Sequence, residues 1–123
     1  MKQGRRGDRY LVDQMLTHAE VIAVNVRKGR DEFETDPTTR YAVEHAIELF
    51  AEAAEKIGKT FKSTNSGVPW ELFRELRRIV AHPYDAGADL THIEQTWRFA
   101  RDDVPKITRK LRGSRFPLAK PTR

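Results

Sequence analysis

Cysteine is absent from the 123 residues, which excludes a disulfide scaffold, a thiolate zinc cluster and a thiol nucleophile. Long apolar runs are absent too. Nothing approaches the roughly 20 residues of a membrane-spanning helix, and the first residues lack the apolar core of a signal peptide. The expectation is a soluble, cytoplasmic protein without a membrane partner. Glycine is sparse, seven residues in all, and none of it forms a phosphate-binding loop, a dinucleotide fingerprint or a nucleophile elbow. The four histidines, His18, His45, His82 and His92, are scattered without HExxH or comparable spacing, so neither a metal nor a cofactor is expected. No strand-like alternation and no internal repeat is present.

What is there suits a small, highly charged helical domain. Hydrophobic residues make up 38% and charged residues 33%. A chain of this length folds as one domain and buries about two-thirds of the surface exposed when unfolded. The formal charge is +5, which permits a polyanionic partner without requiring one. Much of the excess is terminal: Lys2, Arg5, Arg6 and Arg9 at one end, Arg109, Lys110, Arg112, Arg115, Lys120 and Arg123 at the other. Such ends are ordinarily just solvated.

Residues 1–7 read as a flexible basic leader. From about Asp8, Leu11, Met15, His18, Ile22 and Val26 fall on one helical stripe, with Val12, Val21 and Val24 widening it and Gly29 as a stop. His18 on that stripe reads as a hydrogen-bonded core histidine rather than a ligand. Residues 29–35 form a connector in which Phe33 plugs the core. Asp36-Pro37 is a strong helix start; Tyr41, Val43, Ala46, Ile47, Phe50, Ala53, Ala54 and Ile57 carry the apolar face to Gly58, read as a C-terminal cap. Small Ala51, Ala53 and Ala54 allow close approach of another helix. Residues 59–67 read as a loop anchored by Phe61. Val68-Pro69-Trp70 opens a third helix, and Asp89 or Thr91 caps a fourth, Thr91 and Glu94 having capping-box spacing. Leu90, Ile93, Trp97, Ala100 and Val104 line it; Pro105 bends it, or ends it and lets a short helix follow. The pattern predicts an all-α, antiparallel four-helix bundle over residues 1–111, with a basic, disordered C-terminal extension at 112–123.

One stretch stands apart, Arg74-Glu75-Leu76-Arg77-Arg78-Ile79-Val80-Ala81-His82-Pro83-Tyr84. Leu72, Phe73, Leu76, Ile79 and Val80 define its buried face, and Arg74, Arg77 and Arg78 lie off it. Pro83 ends the helix and disfavours the α conformation at His82. Arginine for a phosphate, histidine for a proton and a tyrosine hydroxyl suit chemistry on a phosphodiester. A helix C-terminus attracts Arg and His through its dipole alone, so residue types by themselves do not decide. By elimination, however, catalytic potential rests on Arg77, Arg78, His82 and Tyr84.

The spacing Arg77, four residues, His82, one residue, Tyr84 resembles the motif of the HepT-like toxins, a branch of the HEPN (higher eukaryotes and prokaryotes nucleotide-binding) superfamily. Asp8-Arg9-Tyr10-Leu11-Val12-Asp13 is similar to the family's opening helix and Ala42 to Ile57 to its second. Val68-Pro69-Trp70 is similar to the start of its third, and Trp97 with Asp103-Val104-Pro105 to its fourth, so the likeness spans residues 8 to 111. The resemblance implies a HEPN-like bundle, a homodimer, and a neighbouring nucleotidyltransferase antitoxin of the MNT type. It implies a metal-independent endoribonuclease in which Arg77 and His82 are catalytic and Tyr84 is the side chain blocked by AMPylation; from their residue types and place beside the motif, Arg78 and Tyr84 read as supporting. One motif supplies one histidine, so a dimer interface pairing two motifs would complete the acid–base set for attack of an RNA 2′-hydroxyl on its phosphate. Broad apolar faces together with Trp70 and Trp97 also argue for a homodimer. The chain departs from the family at Arg78, where a polar residue, commonly Asn, follows the arginine, and across residues 85–89. The alternative reading is a non-catalytic HEPN module that binds a nucleotidyltransferase and helps present its substrate.

Overall fold

The computed structural model describes residues 4–81 and 90–114. Among them there is no strand, and the fold is an all-α bundle. The elements are α1 (Gly4–Val26), α2 (Arg30–Thr35), α3 (Pro37–Lys56), α4 (Lys59–Thr64), α5 (Leu72–Ala81), α6 (Leu90–Arg98), a π-helical turn (Phe99–Asp103) and α7 (Val104–Arg112).

In α1, Val12, Met15, Ala19 and Ile22 are buried at helical spacing, giving one stripe against α3. The helix begins at Gly4, so the basic leader expected over residues 1–7 is partly helix. The Asp8 carboxylate accepts the Gly58 amide at 3.0 Å. That bond places the beginning of α1 beside the end of α3, so the two run antiparallel.

Gly29 has φ +99°, a value that glycine adopts without the clash a Cβ would bring. Instead of a connector, residues 30–35 then form a short helix. Its one buried residue, Phe33, plugs the core as expected and meets Trp97 with ring centroids 5.3 Å apart. Arg40 Nη1 donates to the carbonyls of Phe33 and Glu34, satisfying acceptors that the last turn of a helix leaves free. Arg30 ties α2 across to Glu94 on α6 and also takes Glu34 at 2.6 Å.

α3 starts as its sequence dictates. Asp36 caps it by accepting the Thr38 amide at 3.1 Å and the Thr39 hydroxyl at 3.0 Å, with Pro37 in the first turn. Those two bonds, the Thr39 hydroxyl first, hold the Asp36 carboxyl below its ordinary range. Val43, Ala46, Ile47, Phe50, Ala51, Ala53 and Ala54 are buried, but Tyr41, placed on the apolar face by its spacing, is 57% exposed. Gly58 is not the expected left-handed cap. It is extended, at φ −72°, and precedes α4, a helix where a loop was expected; Phe61 is buried there, as its anchoring role required.

α5 packs on α3 through Phe73, Leu76 and Val80, and Phe50 meets Phe73 edge-on at 5.6 Å. α6 runs alongside α3 in the same direction, with Glu44 near His92 and Phe50 near Phe99. Thr91 lies inside α6, so it is not the cap; Asp89 lies outside the described residues. Glu94 spends its carboxylate on Arg30 and Arg98 rather than on a capping box. At Pro105 the second of the two expected outcomes is found: the α-helical run of α6 ends, and a short helix, α7, follows with the proline in its first turn. Between them the chain widens into the π turn, whose closing bond runs from the Val104 amide to the Phe99 carbonyl. Val104, Ile107 and Leu111 then return to the core. Of the tail expected to be disordered, α7 includes Arg112, and residues 115–123 lie outside the described residues.

Candidate active site

Burying Phe73, Leu76 and Val80 against α3 turns Arg77 to the seam between the two helices and Arg74 and Arg78 outward. Arg77 Nη1 donates to Glu55 Oε1 at 2.6 Å. Its side chain is 42% exposed and that of Glu55 is 29% exposed, so the pair is half-buried. The Glu55 carboxylate raises the Arg77 pKa first, with Glu52 and Glu48 on the same side of α3 adding to it. This guanidinium is permanently charged and held at one corner. Its remaining N–H donors at Nε and Nη2 have the fork geometry that matches two phosphate oxygens.

Arg78 pairs with Glu75 on its own helix, in the open. Thus two consecutive arginines have different surroundings: Arg77 is fixed by a neighbouring helix, Arg78 only by its own. His82 and Tyr84, the other two residues singled out by the sequence, lie outside the described residues, as do the departures at 85–88. Glu55 was missed by sequence reasoning. Its signal is the row Glu44, Glu48, Glu52 and Glu55, spaced four, four and three along α3, which reads as a solvated face until α5 is laid against it.

The remaining histidines fall elsewhere. His18 is half-buried on α1, and its pKa is pushed down by burial first and by the neighbouring His45 second. His45 is exposed, with Glu48 Oε1 3.9 Å away. His92 is buried, and its Nε2 lies 3.4 Å from Glu44 Oε2. Among the described residues no three His, Asp or Glu side chains come together as a metal site, and no helix is long and apolar enough to cross a membrane.

The tryptophans give no support to a dimer. Trp97 is buried on Phe33, and Trp70 donates from Nε1 to the Asn65 carbonyl at 3.0 Å while packing on Phe61 and Phe73. Trp97 belongs to the core of one chain, and Trp70, partly buried, packs against that core. Among the described residues, the large apolar side chains left exposed are Tyr10, Val21 and Val24 on α1 and Tyr41 on α3; the expected apolar stripe of α1 therefore does not extend to Val21 and Val24.

A helical bundle that presents a carboxylate-anchored arginine near the end of its third column fits the class of all-helical ribonucleases. The family model described as Ribonuclease HepT-like matches residues 15–112. A protein of Methanocaldococcus jannaschii named as an RNase is 31% identical over 102 residues, covering 83% of this chain and 90% of that one. A protein of Thermococcus cleftensis named as a ribonuclease HepT is 28% identical over 81 residues, 66% of this chain and 70% of that one. No solved structure matches the chain. The protein belongs to the HepT-like ribonuclease family.

Proposed function

We propose that the protein is a metal-independent endoribonuclease toxin of a HepT/MNT pair. It cleaves RNA with Arg77 and His82 at the interface of a homodimer, and a nucleotidyltransferase antitoxin silences it by AMPylation of Tyr84. The observation that carries this reading is the Glu55–Arg77 pair. A guanidinium already oriented by a half-buried carboxylate is ready to stabilise charge on the phosphate as the 2′-hydroxyl attacks. Unlike a freely moving surface arginine, it loses little side-chain freedom on binding. His82, five residues on, would move the protons, since an imidazole can serve as both acid and base near neutral pH. Tyr84 is two residues further, so an AMP group on it would place an anion near the cations that a phosphate needs.

The decisive experiment is cleavage of single-stranded RNA by purified, unmodified protein in EDTA. His82→Ala should lose at least about a hundredfold of the rate, the scale of a missing general acid or base, and AMP attached to Tyr84 should lower wild-type cleavage in proportion to occupancy. Undiminished cleavage by His82→Ala would mean a different site. A folded, unmodified wild type without activity would favour the non-catalytic module that presents substrate to a nucleotidyltransferase.

A further inference from the structure

Elsewhere on the bundle, cations meet carboxylates: Arg27 meets Glu20, Arg30 Glu34 and Glu94, Lys56 Glu52, Arg77 Glu55, Arg78 Glu75, Arg98 Glu94 and Arg101 Asp102. One region has cations but no acids of its own. Residues 59–70 and 104–114 contain no aspartate or glutamate at all, and the fold sets the two segments side by side. A Cβ on Gly67 would lie 3.9 Å from the Lys110 ammonium. On α4, just before the same turn, Lys62 Nζ sits 5.8 Å from the centre of the Trp70 ring. Arg74 is exposed one turn before Arg77 and Arg78 on α5. Among the described residues Lys62, Arg74 and Lys110 form no ion pair.

We infer that this acid-free surface, formed by α4, the 65–70 turn and the end of α7, is an exosite for single-stranded RNA that leads along Arg74 to Arg77. The inference rests on the ribonuclease reading for its ligand. The chemistry that favours an unpaired strand is the combination of backbone-neutralising cations with an anchored aromatic ring. Trp70 is braced by its indole hydrogen bond and by Phe61 and Phe73 at 6.0 Å. Over that ring lies a single flexible lysine, which a base can displace while the ammonium moves to the adjoining phosphate. An acidic peptide would use the cations but not the ring. Leaving these cations unpaired forgoes local ion pairs and preserves their charge for a polyanion, whose bound counterions they release.

The test is fluorescence anisotropy with a labelled single-stranded RNA whose 2′-hydroxyls are O-methylated, so that it cannot be cleaved. Lys62→Gln/Lys110→Gln should reduce the slope of log affinity against log salt by about 1.4, from ~0.7 for each lost phosphate contact on a single strand. With cleavable RNA the same variant should raise KM and leave kcat unchanged, and Trp70→Leu should weaken binding further. A control change at Lys28→Gln, far along the sequence from this surface, should shift neither slope nor KM. The exosite is overturned if the slope of the double variant equals that of wild type, if Lys28→Gln causes an equal loss, or if duplex DNA binds as tightly with the same dependence on Lys62 and Lys110. Wild-type protein that binds with the expected slope yet never cleaves would sink the ribonuclease reading while leaving the exosite standing.

Discussion

Arg77 and Arg78 are adjacent in sequence and unlike in circumstance, and the difference comes from a glutamate 22 positions away from Arg77. Nothing in the local pattern around Glu55 marks it. It sits in a row of glutamates on α3 whose members look equally solvated, and only the packing of Phe73 against Phe50 brings the arginine helix alongside. The motif arginine was therefore legible in the sequence, and the group that positions it was not. If Glu55 acts by orienting Arg77, Glu55→Ala should lower kcat about ten- to hundredfold, the scale of a misplaced reacting group, with little change in KM, and Glu55→Gln should recover part of it by keeping an acceptor. Arg77→Lys should not recover activity, because an ammonium lacks the planar fork. Steady-state kinetics of the variants decide this, and a Glu55→Ala enzyme with wild-type kcat would reduce the pair to a surface contact.

His18 offers a second test at the same scale. Burial, then His45, lowers its pKa in the folded state below the ordinary 6.5. The unfolded chain therefore takes up the proton first as pH falls. The stability contributed by neutral His18 is complete above about pH 6.5 and is lost on acidification towards the depressed folded value. The lowered carboxyls of Asp36, Glu94 and Asp102 act in the same direction but at more acidic pH. Urea midpoints measured between pH 7.5 and 5.5 should fall for wild type and stay flatter for His18→Gln.

At the level of elements, the long helices were legible because their apolar residues repeat with the period of a helix and their starts carry chemical signals. Asp36-Pro37 begins α3 where the sequence placed it. The short helices were not legible: α2 and α4 are six residues each, too brief for a period to show, and each buries one phenylalanine. Their anchoring residues could be read although their conformation could not. Gly58 was misread because glycine after an apolar stripe ordinarily means a left-handed cap, whereas here its amide serves Asp8. Phe33 should be the strongest single anchor outside the long helices. It is fully buried, and Phe33→Ala should cost about 3–5 kcal/mol, measured by urea denaturation; a loss under ~1 kcal/mol would mean that α2 is dispensable to the core.

For the molecule as a whole, Trp97 is buried in the monomer core and Trp70 packs partly buried against it, which leaves a different apolar surface on α1 and α3. Tyr10, Val21 and Val24 fall on one side of α1, and antiparallel packing sets Tyr41 and His45 of α3 near the Val21–Val24 end. If the homodimer forms through this outer face instead of at Arg77 and His82, Val21→Asp/Tyr41→Asp should convert a dimer to a species near 14.3 kDa in light scattering, with helicity retained. A Trp70 variant should not do so. A stable dimer unaffected by both outer substitutions would favour the proposed interface at Arg77 and His82.

The π turn before Pro105 has a consequence for how this chain can change length. A hydrogen bond from Val104 back to Phe99 spans one residue more than an α-helical bond. The column therefore carries a surplus residue, and removing exposed Arg101 would restore ordinary α-helical spacing between Phe99 and Ile107. The surplus is tied to the proline, which in an uninterrupted helix would clash with the carbonyl four residues earlier. Deletion of Arg101 should accordingly be harmful alone and largely tolerated together with Pro105→Ala. The insertion and the proline would then be a compensating pair, each permissible because of the other.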